Sequence, residues 1–217
     1  MTYSDSVRFL LSLGHELKVV KWDLERMRVL LAALGDPHRE GRFVHVAGTN
    51  GKGSTCAMIE ASLRANGLRT GLYTSPHLIS PRERIVIEGQ QISEEAWATA
   101  FDEVHGASER LLAAEAIDAH PSFFEAVSAM AFLAFAKANV EVVVLETGLG
   151  GRLDATNVVD RPCPTLTITV SGPRPLDNRY TLAIDAFCLS RVPFHPDGTN
   201  LPAIDFQPPA DDKKKKK

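Results

Sequence analysis

The sequence predicts a doubly wound α/β fold with a mostly parallel sheet and a phosphate-binding loop. Short apolar and β-branched runs, typical of strands, alternate with longer segments whose apolar residues recur at helical spacing. The run at 140–145 is almost wholly apolar, as expected of a strand buried on both faces of a parallel sheet. A glycine-rich stretch at 48–54 separates one predicted strand from the next predicted helix. These three observations together favour a nucleotide-binding α/β domain.

Two predicted helices precede the first strand. Residues 5–13 and 23–34 carry apolar side chains at helical spacing, and the second of these helices is predicted to end at Gly35. Residues 43–47 are short, apolar and partly β-branched, which predicts a buried strand. The helix that follows the glycine-rich stretch is predicted over 55–64.

The later elements continue the alternation of strands and helices. Ser93, followed by two glutamates, is the predicted N-cap of the next helix. Ser122 and Glu125 have the spacing of a capping box, which predicts the start of a strongly apolar helix reaching about residue 138. The remaining predicted strands are 71–74, 85–87, 140–145 and 165–170.

The glycine-rich loop predicts that the chain binds a nucleoside triphosphate, or descends from a protein that does. Its residues are Gly48, Thr49, Asn50, Gly51, Lys52, Gly53 and Ser54. Between a strand and a helix, the backbone N–H groups of such a loop and the helix N-terminus can face a phosphate. Lys52 would reach the β- and γ-phosphates, while the Ser54 hydroxyl would contact a phosphate or Mg²⁺, or cap the helix. A glycine-rich turn without a ligand is the alternative, and the strand–loop–helix order argues against it.

Composition excludes several classes of protein. A chain of 217 residues with 44% hydrophobic and 24% charged residues is typical of a globular protein. Removing the five positive charges of residues 213–217 from the net charge of −3 leaves −8 for residues 1–212, which argues against nucleic-acid binding. The longest apolar run, 129–136, is too short to span a membrane, and a signal peptide is not predicted. Three widely spaced cysteines favour reduced thiols in a cytoplasmic protein.

Four further segments accompany the loop in a fixed order. They are KWDLERM at 21–27, TSPHL at 74–78 with PRERI at 81–85, SFFE at 122–125, and ETGLGGRLDATN at 146–157. Together with GTNGKGS they resemble the Mur ligase superfamily, and specifically its folylpolyglutamate synthase / dihydrofolate synthase branch. The resemblance covers about residues 5–160. It implies a Mur-ligase-like ATPase domain over 1–170.

The resemblance implies an ATP-dependent ligase of folate metabolism. In that family the carboxylate of dihydropteroate or of a folate attacks the γ-phosphate of ATP, and the amine of L-glutamate then displaces phosphate from the acyl phosphate. The expected cofactors are ATP and Mg²⁺, and the expected partners are these small-molecule substrates, without nucleic acid or membrane. We expect a cytoplasmic monomer.

Lys52 and Glu146 are the predicted catalytic residues. Lys52 would neutralise charge that develops on the transferred γ-phosphate. Glu146 ends a predicted buried strand at the sheet edge where α/β folds bind ligands, and a carboxylate there suits Mg²⁺. The resemblance implies that Ser75 shares this metal ion. The alternatives are a solvated strand-end carboxylate for Glu146 and an ordinary Ser-Pro turn for Ser75.

The resemblance also implies a set of positions that contact the folate substrate. They are Trp22, Asp23, Leu24, Ser122, Phe123, Phe124, Glu125, Leu153 and Asp154. The residues themselves leave other interpretations open. The capping box accounts for Ser122 and Glu125, the two phenylalanines could be core residues, and Trp22 could anchor the following helix. His77 invites interpretation as a metal ligand, but a lone loop histidine is more often structural.

The resemblance ends near residue 160. Residues 161–217 hold nine of the 13 prolines and two of the 15 glycines, which favours an irregular extension over 171–217, with the family's C-terminal domain missing. No lysine lies between Lys137 and the terminal lysines, so the family's carboxylated lysine has no counterpart, and neither does its metal-binding histidine. These differences leave open an inactive nucleotide-binding fragment.

A P-loop kinase or GTPase is a third interpretation of the glycine-rich loop. The hydroxyl residue of a kinase loop follows the lysine directly, whereas Gly53 separates Lys52 from Ser54 here. The sequence also contains no NKxD-type guanine motif. Both observations disfavour this interpretation.

Overall fold

The secondary structure follows the order that the sequence predicts. The computed structural model describes residues 1–13, 24–148, 152–159 and 166–170. The helices are α1 (Tyr3–Ser12), α2 (Glu25–Ala33), α3 (Lys52–Ala65), α4 (Glu94–Ala113) and α5 (Phe123–Lys137). The strands are β1 (Arg42–Gly48), β2 (Thr70–Tyr73), β3 (Ile85–Ile87), β4 (Gln90–Gln91), β5 (Val142–Glu146) and β6 (Leu166–Val170). The predicted extension over 171–217 lies outside the described residues.

The strands form one six-stranded sheet in the order β4-β3-β2-β5-β1-β6. Strands β2, β5, β1 and β6 are parallel, while β3 and β4 join the edge beside β2 as an antiparallel hairpin. Val46 of β1 pairs with Glu146 of β5, and Tyr73 of β2 pairs with Leu145. The carboxyl ends of β2, β5 and β1 therefore meet at one edge of the sheet, with β5 in the middle. The prediction of a mostly parallel sheet is confirmed.

Helices cover both faces of this sheet. Because side chains alternate along a strand, Val44 and Val144 pack on one face with Cys56 of α3. Phe43 and Leu145 point to the other face and join the core formed with α5, α4, α2 and α1. The doubly wound arrangement is thus confirmed.

Helix α5 lies directly against the sheet. Its capping box forms as predicted: the Glu125 N–H donates to Ser122 Oγ (3.2 Å), and the Ser122 N–H donates to Glu125 Oε2 (2.7 Å). Close packing leaves no room for a side chain at Gly71 of β2, where a Cβ atom would lie 2.7 Å from Cδ1 of Phe135. Glycine at this position therefore sets the distance between the helix and the central strands.

A buried hydrogen bond joins α4 to α1. The Trp97 indole is fully buried, and its Nε1–H donates to Ser6 Oγ (3.0 Å). The Ser6 hydroxyl in turn donates to the Tyr3 carbonyl (2.7 Å). Since the indole N–H would otherwise be an unsatisfied buried donor, this pair fixes how the outer helices pack.

One predicted boundary is wrong in a way that bears on function. Helix α3 begins at Lys52, three residues before the predicted start at 55. Gly51 adopts a left-handed conformation (φ 76°) at the N-cap, and its carbonyl accepts hydrogen bonds from both the N–H and the hydroxyl of Thr55 (each 2.9 Å). Ser54 consequently lies within the first turn, exposed, and does not cap the helix. The alternative role of Ser54 as a cap is excluded.

Two further sequence expectations concern membrane-spanning helices and the state of the cysteines. Within the described part of the chain, no helix has the length and apolar character needed to cross a membrane. Cys56 is a free thiol, as expected, and burial raises its pKa well above the usual range. Cys163 and Cys188 lie outside the described residues.

We expect Gly71→Ala to destabilise the fold by about 1–3 kcal/mol, because the added methyl group overpacks against Phe135. Urea denaturation would measure this change. If the contact is the cause, Gly71→Ala combined with Phe135→Leu should cost at least about 0.5 kcal/mol less than the sum of the two single changes. Additive costs would contradict this explanation. Gly106→Ala in α4 is the control, because its Cβ would make an ordinary 3.5 Å contact with Arg110 and alanine favours a helix.

Candidate functional site

Three predicted site residues converge at the carboxyl edge of the sheet. Glu146 ends the central strand β5, Ser75 follows β2, and the glycine-rich loop follows β1. The Ser75 N–H donates to Glu146 Oε2 (3.0 Å). A Cβ atom on Gly53 would lie 3.4 Å from the same carboxylate oxygen, so the first turn of α3 passes directly beside it. The parallel sheet order brings these residues together although 71 residues separate Ser75 from Glu146 along the chain.

Glu146 is a buried carboxylate, with 5% of its surface exposed. Burial raises its pKa, and this effect is opposed by the backbone N–H groups of Ser75 and Gly53 and by the positive charge of Lys52. The interpretation of Glu146 as a solvated strand-end carboxylate is therefore wrong. A desolvated carboxylate with only partial compensation is an environment that a bound cation would stabilise.

The glycine-rich loop presents its polar groups to solvent. Thr49, Asn50, Gly51 and Ser54 are exposed, whereas Gly48, Lys52 and Gly53 are half-buried. Lys52 is the first residue of a helix of 14 residues, so its charge adds to the positive end of the helix dipole. No side chain caps this helix end, and its positive end together with the lysine ammonium forms an environment suited to an anion.

The donor set at this edge fits Mg²⁺ and a nucleotide. A carboxylate (Glu146) and a hydroxyl (Ser75) supply the hard oxygen ligands that Mg²⁺ prefers, and Mg²⁺ usually takes its remaining ligands from water and phosphate oxygens. Lys52 and the start of α3 supply the complementary positive charge for phosphates. Gly53 lies directly beside Glu146, since a Cβ atom there would be in van der Waals contact with the carboxylate at 3.4 Å.

An aromatic wall stands beside this edge. The Phe124 ring lies 6.0 Å from that of Tyr73, and a Cβ atom on Gly148 would be 2.7 Å from Phe124 Cζ. Phe124 is half-buried and Phe123 is buried. Gly148 therefore lies against Phe124, which places one predicted substrate residue beside the chain two residues after the predicted catalytic carboxylate.

Arg84 is a site feature that the sequence analysis missed. Its guanidinium is 6% exposed and lies over the Phe123 ring, 4.9 Å from the centroid. Its Nε–H donates to His77 Nδ1 (2.9 Å). His77 thus takes part in a structural contact, in line with the structural interpretation of this histidine. Only the position of Arg84 within the PRERI segment could have pointed to it, because its neighbours come from distant parts of the chain.

The loop between β2 and β3 is held by Glu83. Its carboxylate accepts hydrogen bonds from three successive backbone N–H groups, those of Leu78 (2.8 Å), Ile79 (3.0 Å) and Ser80 (2.7 Å). These bonds lower the pKa of Glu83. The side chains of Leu78 and Ile79 are each 91% exposed. The loop that carries Ser75 is therefore well connected internally and projects two apolar side chains into solvent.

Ser122 and Glu125 use their polar atoms within the fold. Besides the capping box, Glu125 Oε2 accepts from an Arg26 guanidinium nitrogen at 3.3 Å, and Arg26 also pairs with Asp118 at 3.1 Å. The capping interpretation of Ser122 and Glu125 is confirmed. A contact of either residue with a folate substrate stays a prediction.

A buried polar network supports the loop after β5, and the sequence analysis found only one of its members. Asp154 accepts hydrogen bonds from the Gly148 N–H (2.8 Å), the Thr156 N–H (3.0 Å) and the Thr156 hydroxyl (2.5 Å). Thr156 Oγ1 also lies 2.8 Å from Nε2 of the buried His45 of β1. Because the threonine hydroxyl donates to Asp154, His45 Nε2 must donate to the threonine.

Burial lowers the pKa of His45, although the nearby Asp154 charge opposes the shift. A neutral imidazole with its proton on Nε2 satisfies both observations. The network ties the loop after β5, the turn at Ala155–Val158 and strand β1 together. Asp154, predicted to contact substrate, therefore also has a structural role in positioning Gly148.

Leu24 and Leu153 come together although they lie far apart in sequence. Both line a surface depression of about 530 Å³, between the start of α2 and the loop at 152–159. The other lining residues are Glu25, Arg28, Arg152, Asn157 and Val159. Trp22 and Asp23, the other predicted residues of this segment, lie outside the described residues.

Comparison with known proteins confirms the resemblance. The dihydrofolate synthase/folylpolyglutamate synthase of Bacillus subtilis is 45% identical over 153 residues, which cover 70% of this chain and 34% of that protein. A folylpolyglutamate synthase structure from Thermotoga maritima is 45% identical with a TM-score of 0.68, covering 78% of this chain and 38% of that one. A structure titled as a complex of folylpolyglutamate synthase with AMPPCP and folate has 37% identity and a TM-score of 0.71, covering 81% and 42%.

The match is confined to part of these proteins. The chain spans between 19% and 38% of the length of the curated relatives it matches. No family model matches the chain. The similarity in sequence and in fold is nevertheless consistent across curated proteins and solved structures.

We expect Glu146→Gln to remove most of the Mg²⁺-dependent tightening of ATP binding, because the amide lacks the charge that a hard cation requires. Without nucleotide, the melting temperature at pH 7 should be unchanged or higher. A raised folded pKa means that ionised Glu146 opposes folding above that pKa, and glutamine removes this cost. The gain in melting temperature should vanish at a pH below the usual glutamate pKa of about 4.3, where the parent carboxyl is also neutral. Calorimetric ATP titrations with and without Mg²⁺, and thermal melts at both pH values, would measure these effects.

Glu60→Gln is the matched control for this prediction. Glu60 is a second buried carboxylate, but its Oε1 accepts hydrogen bonds from Arg64 Nε–H (2.9 Å) and from the Thr70 hydroxyl (2.6 Å). The Glu60→Gln variant should have a lower melting temperature than the parent, and the Mg²⁺ dependence of its ATP binding should be unchanged. Equal Mg²⁺ dependence in Glu146→Gln and the parent would show that Glu146 is not a ligand.

Proposed function

We propose that this chain is the ATP-binding part of a ligase that joins L-glutamate to dihydropteroate or to a folate. The observation that carries the proposal is the convergence of Lys52, Ser75 and Glu146 at the carboxyl edge of the sheet. Each comes from a different strand end, and each lies in a segment that resembles the same ligase family. The solved relative with AMPPCP and folate supports both the nucleotide and the substrate class.

The residues at the edge have separate tasks in this proposal. The loop N–H groups and Lys52 bind and orient the phosphates of ATP, while Glu146 and Ser75 would hold Mg²⁺. When bound, Mg²⁺ neutralises charge on the phosphate oxygens. Gly53 places the first turn of the nucleotide-binding helix beside the carboxylate, within van der Waals distance. Positioning and electrostatic stabilisation are what phosphoryl transfer requires from a protein.

The aromatic wall is suited to the ring system of the second substrate. Phe124 stands next to the loop that follows Glu146, and Phe123 is fixed beneath the Arg84 guanidinium. A flat pteroate group bound there would direct its carboxylate toward the γ-phosphate. Attack by this carboxylate would form an acyl phosphate and release ADP. The glutamate amine would then displace phosphate and lose a proton, which leaves an amide bond.

The setting that we propose for this activity is the cytoplasm, with small-molecule substrates and a monomeric protein. The three widely spaced cysteines, which favour reduced thiols, support the proposed compartment. The proposed function is compatible with either dihydropteroate or a tetrahydrofolate as the acceptor of L-glutamate. A competition titration would measure whether the two bind at one site.

The alternative function is nucleotide binding without turnover. Its support comes from the sequence, because residues 161–217 contain no counterpart of the family's lysine or of its metal-binding histidine. Both functions share the ATP site, so the difference between them lies in phosphate release.

We expect Lys52→Ala to weaken ATP binding about 10- to 100-fold, because a charge-assisted hydrogen bond to phosphate contributes about 1.5–3 kcal/mol. The fold should be unaffected, since Lys52 is half-buried at the start of α3 and alanine favours a helix. Calorimetry and circular dichroism would measure both properties. Lys137→Ala, which removes an exposed lysine paired with Glu103 at the end of α5, is the control. Equal ATP affinity in all three proteins would exclude the loop as the site.

We expect the 217-residue chain to bind ATP and dihydropteroate but to release no phosphate when glutamate is added. Losing one electrostatic stabiliser costs about 10²–10³ in rate, and two groups of the family have no counterpart in this sequence. Coupled detection of phosphate would measure turnover. Glutamate-dependent release at an ordinary enzymatic rate would show that residues 161–217 supply the required groups. Failure to bind ATP would contradict both functions.

A further inference from the structure

Outside the site described above, two histidines and a glutamate form a compact cluster. His105 and Glu109 lie one turn apart on α4, and His120 lies in the connection between α4 and α5. His105 Nδ1 is 3.7 Å from Glu109 Oε1, and His120 Nε2 is 3.5 Å from the same oxygen. The three donor atoms all lie within 4.8 Å of one another.

These distances approach those found around a bound metal ion. Zinc binds histidine nitrogen and carboxylate oxygen at about 2.0–2.2 Å, so two donors at a tetrahedral ion lie about 3.3–3.6 Å apart. The two distances to Glu109 already fall within or near this range. The two histidines need to approach each other by a small rotation. Glu109 is exposed and His120 is half-buried, so their side chains have room to move.

Aromatic packing holds both imidazoles in place. The His105 ring stacks on Phe101 with 5.4 Å between centroids and contacts Phe9 at 4.6 Å. The His120 ring meets Phe9 edge-on at 5.9 Å and lies nearly parallel to His105. Ligands whose rings are already restricted by packing, with only a small rotation left to make, lose less conformational entropy on binding a metal ion.

We propose that His105, Glu109 and His120 bind a divalent transition-metal ion of the zinc class. Two imidazoles and one carboxylate suit Zn²⁺, Co²⁺ or Ni²⁺ and do not suit Mg²⁺, which prefers oxygen ligands. Three protein ligands leave the fourth position of a tetrahedral ion to water. The site is separate from the predicted Mg²⁺ ligands Ser75 and Glu146, and the inference does not rest on the proposed ligase function.

The bound ion would connect two segments that are otherwise joined through side-chain packing. His105 and Glu109 belong to α4, whereas His120 lies two residues before the N-cap of α5. The metal would therefore fix the start of α5 relative to the carboxyl half of α4. No hydrogen bond to the second nitrogen of either imidazole is present among the described residues, so we expect micromolar affinity rather than the tighter binding of fully supported sites.

The test is titration of the full, nucleotide-free chain with ZnCl₂ by calorimetry and with CoCl₂ by visible absorption. The parent should bind one Zn²⁺ with a Kd of about 1–50 μM and give a Co²⁺ absorption band typical of four-coordinate geometry. His120→Asn and Glu109→Gln should each weaken Zn²⁺ binding at least about tenfold. MgCl₂ at the same concentrations should not compete with Zn²⁺ or Co²⁺ for the cluster.

Glu103→Gln, which changes another exposed carboxylate on α4, is the matched control and should retain the parent affinity. Circular dichroism would verify that all variants are folded. Because His120 lies outside the helices, His120→Asn keeps the proposal testable if a change within α4 disturbs that helix. Zn²⁺ binding that is absent below 1 mM, or equally tight in the parent and in both cluster variants, would overturn the proposal.

Discussion

The site depends on one buried charge, the carboxylate of Glu146 at the end of the central strand. Strand β5 is covered on both faces and flanked by parallel strands on both sides, so its last side chain keeps only 5% of its surface exposed to water. The surrounding structure supplies what solvent does not: the Ser75 N–H, the first turn of α3 and the charge of Lys52. Burial nevertheless dominates the pKa of Glu146. An incompletely compensated carboxylate favours a cation, so the Mg²⁺ that we propose here would turn a cost of folding into binding affinity.

Local signals were sufficient for most of the fold. The capping box at Ser122 and Glu125 could be predicted because its two residues lie only three positions apart. The burial of β5 could be predicted because the strand is almost wholly apolar. The start of α3 was misplaced because Gly51, in a left-handed conformation, takes the N-cap position where sequence rules favour a polar side chain. Sequence rules describe average caps, and a glycine loop that enters a helix without a side-chain cap departs from them.

Residues of the site could be predicted only where they belong to a sequence motif. Lys52, Ser75 and Glu146 stand at strand ends, so the sheet order alone places them together. Arg84 was missed because its neighbours His77 and Phe123 belong to different segments, and no local pattern signals such a contact. The bond between His45 and Thr156 spans 111 residues and is equally invisible in the sequence. Long-range polar contacts of this kind are decided by tertiary packing.

The hydrogen bonds of Glu83 affect how the loop between β2 and β3 would contact other molecules. Three backbone N–H groups bound to one carboxylate fix the main chain beneath Leu78 and Ile79, whose side chains remain in water. The conformational entropy of this segment is therefore lost when the protein folds, and little remains to be lost on contact. Apolar area that is already ordered contributes almost undiminished to the free energy of association. Leu78 and Ile79 would therefore contribute more per square ångström buried than a flexible loop of the same composition.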